Sequence, residues 1–273
     1  MKWFRVFFDF YLNASIHVAL AVFSFVKITE IYFGLPTNDS LNYALFFGTI
    51  TGYNFVKYAG VAKLHHRSLT NSLKAIQFFS FCCFLLLGYY AYLLAIPTVL
   101  FCIPFAIITI LYAVPFLSGF QRSLRTISYL KIMVVAFVWS GFTVFIPVFD
   151  AGKELDFTLV LFVLQRFLIV VVLVLPFDIR DVQYDAISLQ TIPKKIGIEK
   201  TKRLGLVLMI ISLVIEYCIQ LQIHSKNSFL GFFFLVTIFL MRAQKDQSKY
   251  YSSFWVELLP ILWWVLLLGF RNY

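Results

Sequence analysis

Long apolar segments separated by short polar ones form the dominant pattern of this chain. The segments are continuously apolar and do not alternate, which is typical of membrane-spanning helices and not of the strands of a membrane barrel. The uncharged stretch from Ala75 to Gln121 alone is long enough for two spans of about 20 residues each. The pattern predicts nine helices, at about 13–33, 41–58, 74–94, 96–117, 129–149, 157–177, 204–223, 228–242 and 254–270.

The composition favours the same interpretation. Of the 273 residues, 61% are hydrophobic and only 13% are charged, whereas a soluble domain is about half apolar and a quarter charged. We therefore expect an all-α, polytopic membrane helix bundle with about nine transmembrane helices. Residues 1–273 are expected to form a single domain, since no soluble domain or repeat is evident.

The basic residues predict how the bundle is oriented. Most of the lysines and arginines lie on the same side of the predicted helices as the N-terminus, and such residues concentrate on the cytoplasmic side. The N-terminus is therefore expected in the cytoplasm, with the chain in the plasma (inner) membrane if its source is bacterial. This topology accounts for most of the net charge of +10. Nucleic-acid binding is not implied, although the same cations can attract membrane lipids.

Three carboxylates directly follow the sixth apolar segment. Asp178, Asp181 and Asp185 are spaced three and then four residues apart, so on a helix they form one acidic stripe. Such a stripe can bind Mg²⁺, which in turn binds a diphosphate. The alternatives are a solvated loop face and salt bridges with Arg180 and neighbouring lysines. The three aspartates are our predicted metal ligands, in a loop expected on the cytoplasmic side.

The residues after the acidic stripe extend the motif. Thr191, Pro193 and Gly197 follow it, and the block resembles the second acidic motif of the UbiA-type intramembrane prenyltransferases, DxxDxxxD with a Thr-x-Pro…Gly sequel. The glycine that usually precedes the threonine is missing here. The predicted helix count and the position of the loops also resemble that family.

The first motif of that family, NDxxDxxxD after the second helix, is only partly matched. Asn54 is in place, and Arg67 opens a segment similar to the turn that usually follows. The carboxylate positions are occupied by Phe55, Tyr58 and Ala62, none of which ligates Mg²⁺ as an aspartate does.

The resemblance implies Mg²⁺-dependent transfer of an isoprenyl chain from its diphosphate to an aromatic or other lipid-soluble acceptor. Asp181 and Asp185 would then be catalytic, together with Lys57, which we hypothesise replaces the metal of the missing first motif. The predicted substrate-binding residues are Asn54, Tyr58, Arg67, Lys194 and Arg166.

Arg166 could also have a structural role. A mid-membrane arginine usually faces a cavity or a paired acid, and Glu216 or Glu257 could form that pair.

Two other interpretations of the function remain open. The chain could be a catalytically inactive homologue that binds an isoprenoid, a lipid or a partner protein. It could also be a small transporter that uses the acidic stripe and Arg166 in its pathway.

Overall fold

The computed structural model describes residues 2–58, 71–113, 128–183, 191–219 and 223–271. Within these ranges all regular secondary structure is helical, which confirms the predicted all-α class. The helices are α1 Lys2–Asn13, α2 Ile16–Phe33, α3 Asp39–Tyr58, α4 Asn71–Tyr92, α5 Ile96–Ala113, α6 Ser128–Ser140, α7 Ile146–Asp150, α8 Phe157–Asp181, α9 Ile192–Ile196, α10 Ile198–Cys218, α11 Ile223–Arg242 and α12 Glu257–Arg271.

Two π-helical segments make longer helices continuous. Gly141–Phe145 joins α6 to α7, and Tyr251–Val256 leads into α12. Each of the predicted helices overlaps a helix or a continuous helical run of the described residues. Six runs there are long and apolar enough to span a membrane, and the count of nine spans stays a prediction. The six are Ile16–Phe33, Leu73–Tyr92, Ile96–Ala113, Leu130–Asp150, Phe157–Asp181 and Tyr251–Arg271.

The first helix, α1, corrects our prediction, which left residues 2–12 outside any helix. It is short and amphipathic, and Trp3, Phe4 and Phe7 on it are exposed, as in a helix that lies in a membrane interface. The helical path is interrupted between α1 and α2 at Ser15, whose φ of 61° is in the left-handed region. An apolar stretch of about three helical turns cannot be distinguished in the sequence from the start of the longer apolar segment that follows it. For this reason α1 was not predicted as a separate helix.

The main core surrounds Trp263 on α12. Its indole stacks on the ring of Phe232 at 4.6 Å between centroids and lies 5.3 Å from the ring of Phe229, both on α11. Phe25 on α2 meets the same indole edge-on at 6.1 Å. These aromatic contacts join three helices in the middle of the bundle. Large apolar side chains on α4 and α5, in contrast, are exposed, as expected of a lipid-facing surface.

The ends of the helices opposite α1 are joined by Asp150. Its carboxylate accepts hydrogen bonds from Asn38 Nδ2 at 2.8 Å and from Thr98 Oγ1 at 2.7 Å. Three parts of the chain therefore meet there: the α2–α3 connection, the start of α5 and the end of α7. Closing the bundle at this end leaves the other end, where α1 lies, for the site.

Gly141 allows α5 to pack closely against the π-helical segment. A Cβ atom at this position would overlap the ring of Phe105 on α5. Phe105 also contacts Phe101 and Phe142, so its ring has little space into which to move. The absence of a side chain at Gly141 thus sets the distance between α5 and the α6–α7 run.

We expect Gly141→Ala to lower the midpoint of thermal unfolding in detergent, because overpacking of a filled core costs about 1–3 kcal/mol. The matched control is Gly88→Ala on the exposed face of α4, where a Cβ meets nothing within 4 Å. That variant should be as stable as the wild type or slightly more stable, since alanine is the better helix former. Equal midpoints for the two variants would contradict the packing argument.

Candidate functional site

One large cavity of about 1050 Å³ lies between the helices. Residues of α1, α2, α3, α4, α5, α6, α8 and α12 line it, together with both π-helical segments. Most of the wall is apolar. Representative apolar lining residues are Leu45, Leu87, Phe142, Val170, Leu173 and Phe177. The chamber suits a long hydrocarbon chain.

Charged side chains also line this cavity, and they come from the ends of several helices. We call them the charged cluster. Its members are Asp9, Lys57, Lys131, Arg180, Asp181, Lys249 and Glu257. Four of the seven are basic and three are acidic, and Asp178, which lies behind the wall and pairs with Lys131, balances the count.

Lys57, a predicted catalytic residue, lies on the cavity wall. Its ammonium group donates a hydrogen bond to Ser15 Oγ at 2.9 Å and reaches the carbonyl oxygen of Leu12 at 3.4 Å. The break between α1 and α2 therefore holds the Lys57 head group in place. Glu257 at the start of α12 is within electrostatic range of Lys57.

Asp178, the first predicted metal ligand, is bonded to a lysine. Its side chain has 0% exposed surface, and its Oδ1 lies 2.8 Å from the Nζ of Lys131 on α6. Lys131 lines the cavity, whereas Asp178 lies behind it. A buried carboxylate needs such a partner because the cost of desolvating a lone charge is large.

Asp181, the second predicted ligand, does line the cavity. Its Oδ1 lies 2.8 Å from Nε of Arg180, and both side chains are about a quarter exposed. Asp185, the third predicted ligand, lies outside the described residues. Within the described ranges, no three of the His, Cys, Asp and Glu side chains are grouped so that they could hold a metal ion. Since Asp185 is not among the described residues, Asp178, Asp181 and Asp185 stay predicted metal ligands, and Asp178 and Asp181 each form an ion pair with a basic side chain.

Asn54 and Tyr58, predicted to bind substrate, are placed beside the cavity and do not line it. The Asn54 amide donates to the carbonyl oxygen of Ala14 at 3.0 Å and to Ser80 Oγ at 2.7 Å, and its oxygen accepts from Ser15 Oγ at 2.8 Å. The Tyr58 hydroxyl donates to the carbonyl oxygen of Asn13 at 3.1 Å. Both side chains thus hold the α1–α2 break against α3, next to Lys57.

Arg166 does not line the cavity either. Its guanidinium is buried over the ring of Phe25, at 4.0 Å from the centroid, and Nη1 donates to the Phe25 carbonyl oxygen at 3.1 Å. Glu216, one of the partners suggested by the sequence, instead accepts hydrogen bonds from Tyr32 at 2.9 Å and Gln165 at 2.7 Å. The arginine is thus part of the aromatic core, and its role in substrate binding stays a prediction.

The remaining predicted cations do not line the cavity within the described ranges. Lys194 lies partly exposed on α9, away from the cavity lining. Arg67 is outside the described residues. Five members of the charged cluster were not predicted as site residues: Asp9, Lys131, Arg180, Lys249 and Glu257. For Lys131 a signal was available, because a lysine just inside the end of an apolar helix is costly unless it has a partner or a task.

Asp9 joins α1 to the segment before α12. Its Oδ1 accepts hydrogen bonds from Lys249 Nζ at 2.7 Å and from the Tyr250 hydroxyl at 2.8 Å. These two hydrogen bonds hold the pKa of Asp9 below its usual range, and the bond to Asp9 raises the pKa of Lys249. Both groups therefore stay charged at neutral pH, and the contact keeps α1 beside the charged end of the cavity.

We expect Lys131→Met to destabilise the protein by about 3–5 kcal/mol, because it takes the charge partner from a buried carboxylate. The double variant Lys131→Met/Asp178→Asn should recover most of this loss, since it removes both charges. Denaturant unfolding of the two variants and of Asp178→Asn completes a double-mutant cycle. Strictly additive effects of the two substitutions would contradict a buried ion pair.

Comparison with solved structures identifies the fold. An apo UbiA homologue from Aeropyrum pernix K1 superposes with a TM-score of 0.68 at 14% sequence identity, covering 93% of this chain and 98% of that one. A UbiA homologue from Archaeoglobus fulgidus bound to GPP and Mg²⁺ gives 0.60 at 12% identity, over 97% and 100%. A digeranylgeranylglyceryl phosphate synthase gives 0.57 at 14% identity, over 100% and 98%.

Comparisons of sequence alone found no match, neither to a protein-family model nor to a curated protein. At identities this low the likeness concerns the three-dimensional arrangement of the helices. This chain has the UbiA-type fold, a polytopic bundle of membrane helices.

Proposed function

We propose that this protein is a prenyltransferase-like intramembrane protein that transfers an isoprenyl chain from its diphosphate to a lipid-soluble acceptor. The observation that carries the proposal is one cavity whose wall is mostly apolar and whose charged cluster includes four basic side chains. An isoprenyl diphosphate has the complementary form, with a long hydrocarbon tail and a compact, multiply anionic head. Its tail would occupy the apolar chamber and its head would face Lys57, Lys131 and Arg180.

The fold supports the same substrate class. Solved structures of the Archaeoglobus fulgidus UbiA homologue contain GPP with Mg²⁺ and DMAPP with Mg²⁺. A shared fold does not by itself carry over a ligand, because function depends on the site. In this chain the fold and the cavity both favour a ligand that combines an isoprenyl chain and a diphosphate.

The reaction would begin with cleavage of the bond between the isoprenyl carbon and the diphosphate oxygen. The electron pair leaves with the diphosphate, and Lys57 and Arg180 offset the negative charge that develops there. The apolar wall keeps water from the allylic cation that remains. Trp139 lines the cavity, and its indole NH donates to the Tyr53 hydroxyl at 2.9 Å. The faces of these two rings can stabilise positive charge.

The second step joins the two substrates. A nucleophilic atom of the acceptor attacks the allylic cation and then loses a proton, which a carboxylate of the charged cluster can take. The predicted magnesium ligands are Asp178, Asp181 and Asp185, and a divalent ion held there would supply further charge to offset the diphosphate. The acceptor must be lipid-soluble, since it has to reach the reacting carbon through the apolar part of the cavity.

A second candidate function is binding of an isoprenoid diphosphate without turnover. Two observations favour it. Positions 55 and 58, where the family has carboxylates, carry Phe55 and Tyr58, and the described carboxylates of the second motif are engaged in ion pairs. The two candidates share one binding mode and differ only in whether the carbon–oxygen bond breaks.

The test is a turnover assay on the purified protein in lipid nanodiscs. Radiolabelled geranylgeranyl diphosphate is incubated with a panel of lipid-soluble acceptors, and both diphosphate release and labelled product are measured. We expect product with at least one acceptor, and a loss of about 100-fold for Lys57→Met, as for removal of one group that stabilises a developing charge.

The control is Lys200→Met, which removes an exposed lysine outside the cavity and should leave turnover unchanged. Saturable binding of the donor without any product would favour the binding protein. The absence of both donor binding and product would contradict both candidates.

A further inference from the structure

Glu257 is an acidic residue within a long apolar run. The run Tyr251–Arg271 is long and apolar enough to span a membrane, and Glu257 is the one acidic residue in it. An ionisable group inside an apolar span is costly, and such groups usually face a cavity and have a function. Glu257 lines the cavity, and its side chain is partly exposed there.

The contacts of Glu257 differ from those of the other carboxylates on the cavity wall. Asp9 forms an ion pair with Lys249, and Asp181 forms one with Arg180. The carboxylate of Glu257 forms no hydrogen bond and no direct ion pair within the ranges that the structure describes. Among the described carboxylates of the wall, Glu257 is therefore the one whose oxygens are available to a ligand.

The segment before α12 holds Glu257 at the cavity wall. This segment, Tyr251–Val256, is π-helical, and π-helical turns frequently occur at functional sites. His17 on α2 fixes the segment, because its Nε2 donates a hydrogen bond to the carbonyl oxygen of Phe254 at 2.9 Å. The two rings also stack, with 4.8 Å between their centroids. The backbone just before Glu257 is thus held by the core of the bundle, as the position of a reactive group requires.

Charged and titratable groups from three helices face Glu257. Lys57 on α3 and Arg180 on α8 are within electrostatic range of it, as are Tyr11 on α1 and Tyr53 on α3. Lys57 and Arg180 are groups that would face the diphosphate head of the proposed donor. The isoprenyl carbon that reacts is bonded to an oxygen of this head, so an acceptor that attacks the carbon would bring its nucleophilic atom near Glu257. A base must be within reach of the proton that it takes.

We infer that Glu257 is the base that takes the proton from the acceptor during prenyl transfer. The inference rests on the proposed function and assigns a residue to its second step. The hydroxyl oxygen of an alcohol or a phenol forms the bond to the allylic cation. Its O–H bond then breaks, the electron pair of that bond stays on the oxygen, and the proton goes to a carboxylate oxygen of Glu257.

The products of this step are an isoprenyl ether and a protonated Glu257, which returns the proton to water when the products leave. The diphosphate has already departed with the electron pair of its carbon–oxygen bond. A carboxylate at this position accepts a hydrogen bond from a hydroxyl group and repels an anion. It therefore favours a neutral acceptor that carries a hydroxyl group.

The test compares the wild type with Glu257→Gln in nanodiscs, with radiolabelled geranylgeranyl diphosphate and a panel of long-chain alcohols and alkylphenols. At saturating donor we expect the variant to form product about 100-fold more slowly or less, the typical contribution of a general base. Calorimetry with geranylgeranyl thiolodiphosphate and Mg²⁺ should show donor binding that is as tight as in the wild type or tighter, because a negative charge near the diphosphate is removed.

Two further variants complete the test. Glu257→Asp keeps a carboxylate and should form product faster than Glu257→Gln does. The matched control is Glu199→Gln, which removes an exposed carboxylate outside the cavity and should leave product formation unchanged.

Product formation by Glu257→Gln within about threefold of the wild-type rate would overturn the role of Glu257 and leave the proposed function intact. It is the result expected if Glu257 were only a counter-ion of Lys57. Loss of product together with loss of donor binding would also overturn the role, since Glu257 would then be needed for the structure of the binding site. Absence of product from the wild type would overturn the proposed transfer itself, and the role of Glu257 with it.

Discussion

The ion pair between Lys131 and Asp178 is the contact on which the charged end of the cavity depends. A carboxylate with no exposed surface cannot rely on water, so a cation has to be supplied by the protein. The lysine that supplies it comes from α6, which packs directly against α8. The pair therefore links the two helices and also directs a lysine toward the cavity. This one contact therefore affects both the stability of the bundle and the charge of the cavity wall.

The same electrostatic requirement explains how other charges are arranged in so apolar a bundle. Asp9 is matched by Lys249, and Asp181 by Arg180. Arg166 is enclosed by aromatic faces and a backbone carbonyl, and Glu216 by neutral hydrogen-bond donors. With Lys131 matched by Asp178 as well, Lys57 and Glu257 are left on the cavity wall, and they are within electrostatic range of each other.

The likeness to the UbiA homologues concerns the path of the helices, at 12–14% identity. Helices that follow the same path need a similar distribution of apolar positions along the chain. A binding site depends on a handful of side chains, so a shared fold does not decide which groups line the cavity. In this chain those groups include Lys57, Lys131 and Arg180.

The class of fold and the positions of the long helices could be predicted from the sequence alone, because about 20 consecutive apolar residues have few alternatives to a membrane-spanning helix. The cavity residues Lys57 and Asp181 were also predictable, since both lie at helix ends within recognisable motifs. The partners of these residues were not. Lys131 and Asp178 are 47 positions apart, and Asn54 and Arg166 are buried among protein groups that sequence spacing cannot reveal. Only the packing of α6 on α8 determined that a lysine would lie where a metal ion was expected, because charge compensation in a low-dielectric interior is decided by distance in space and not along the chain.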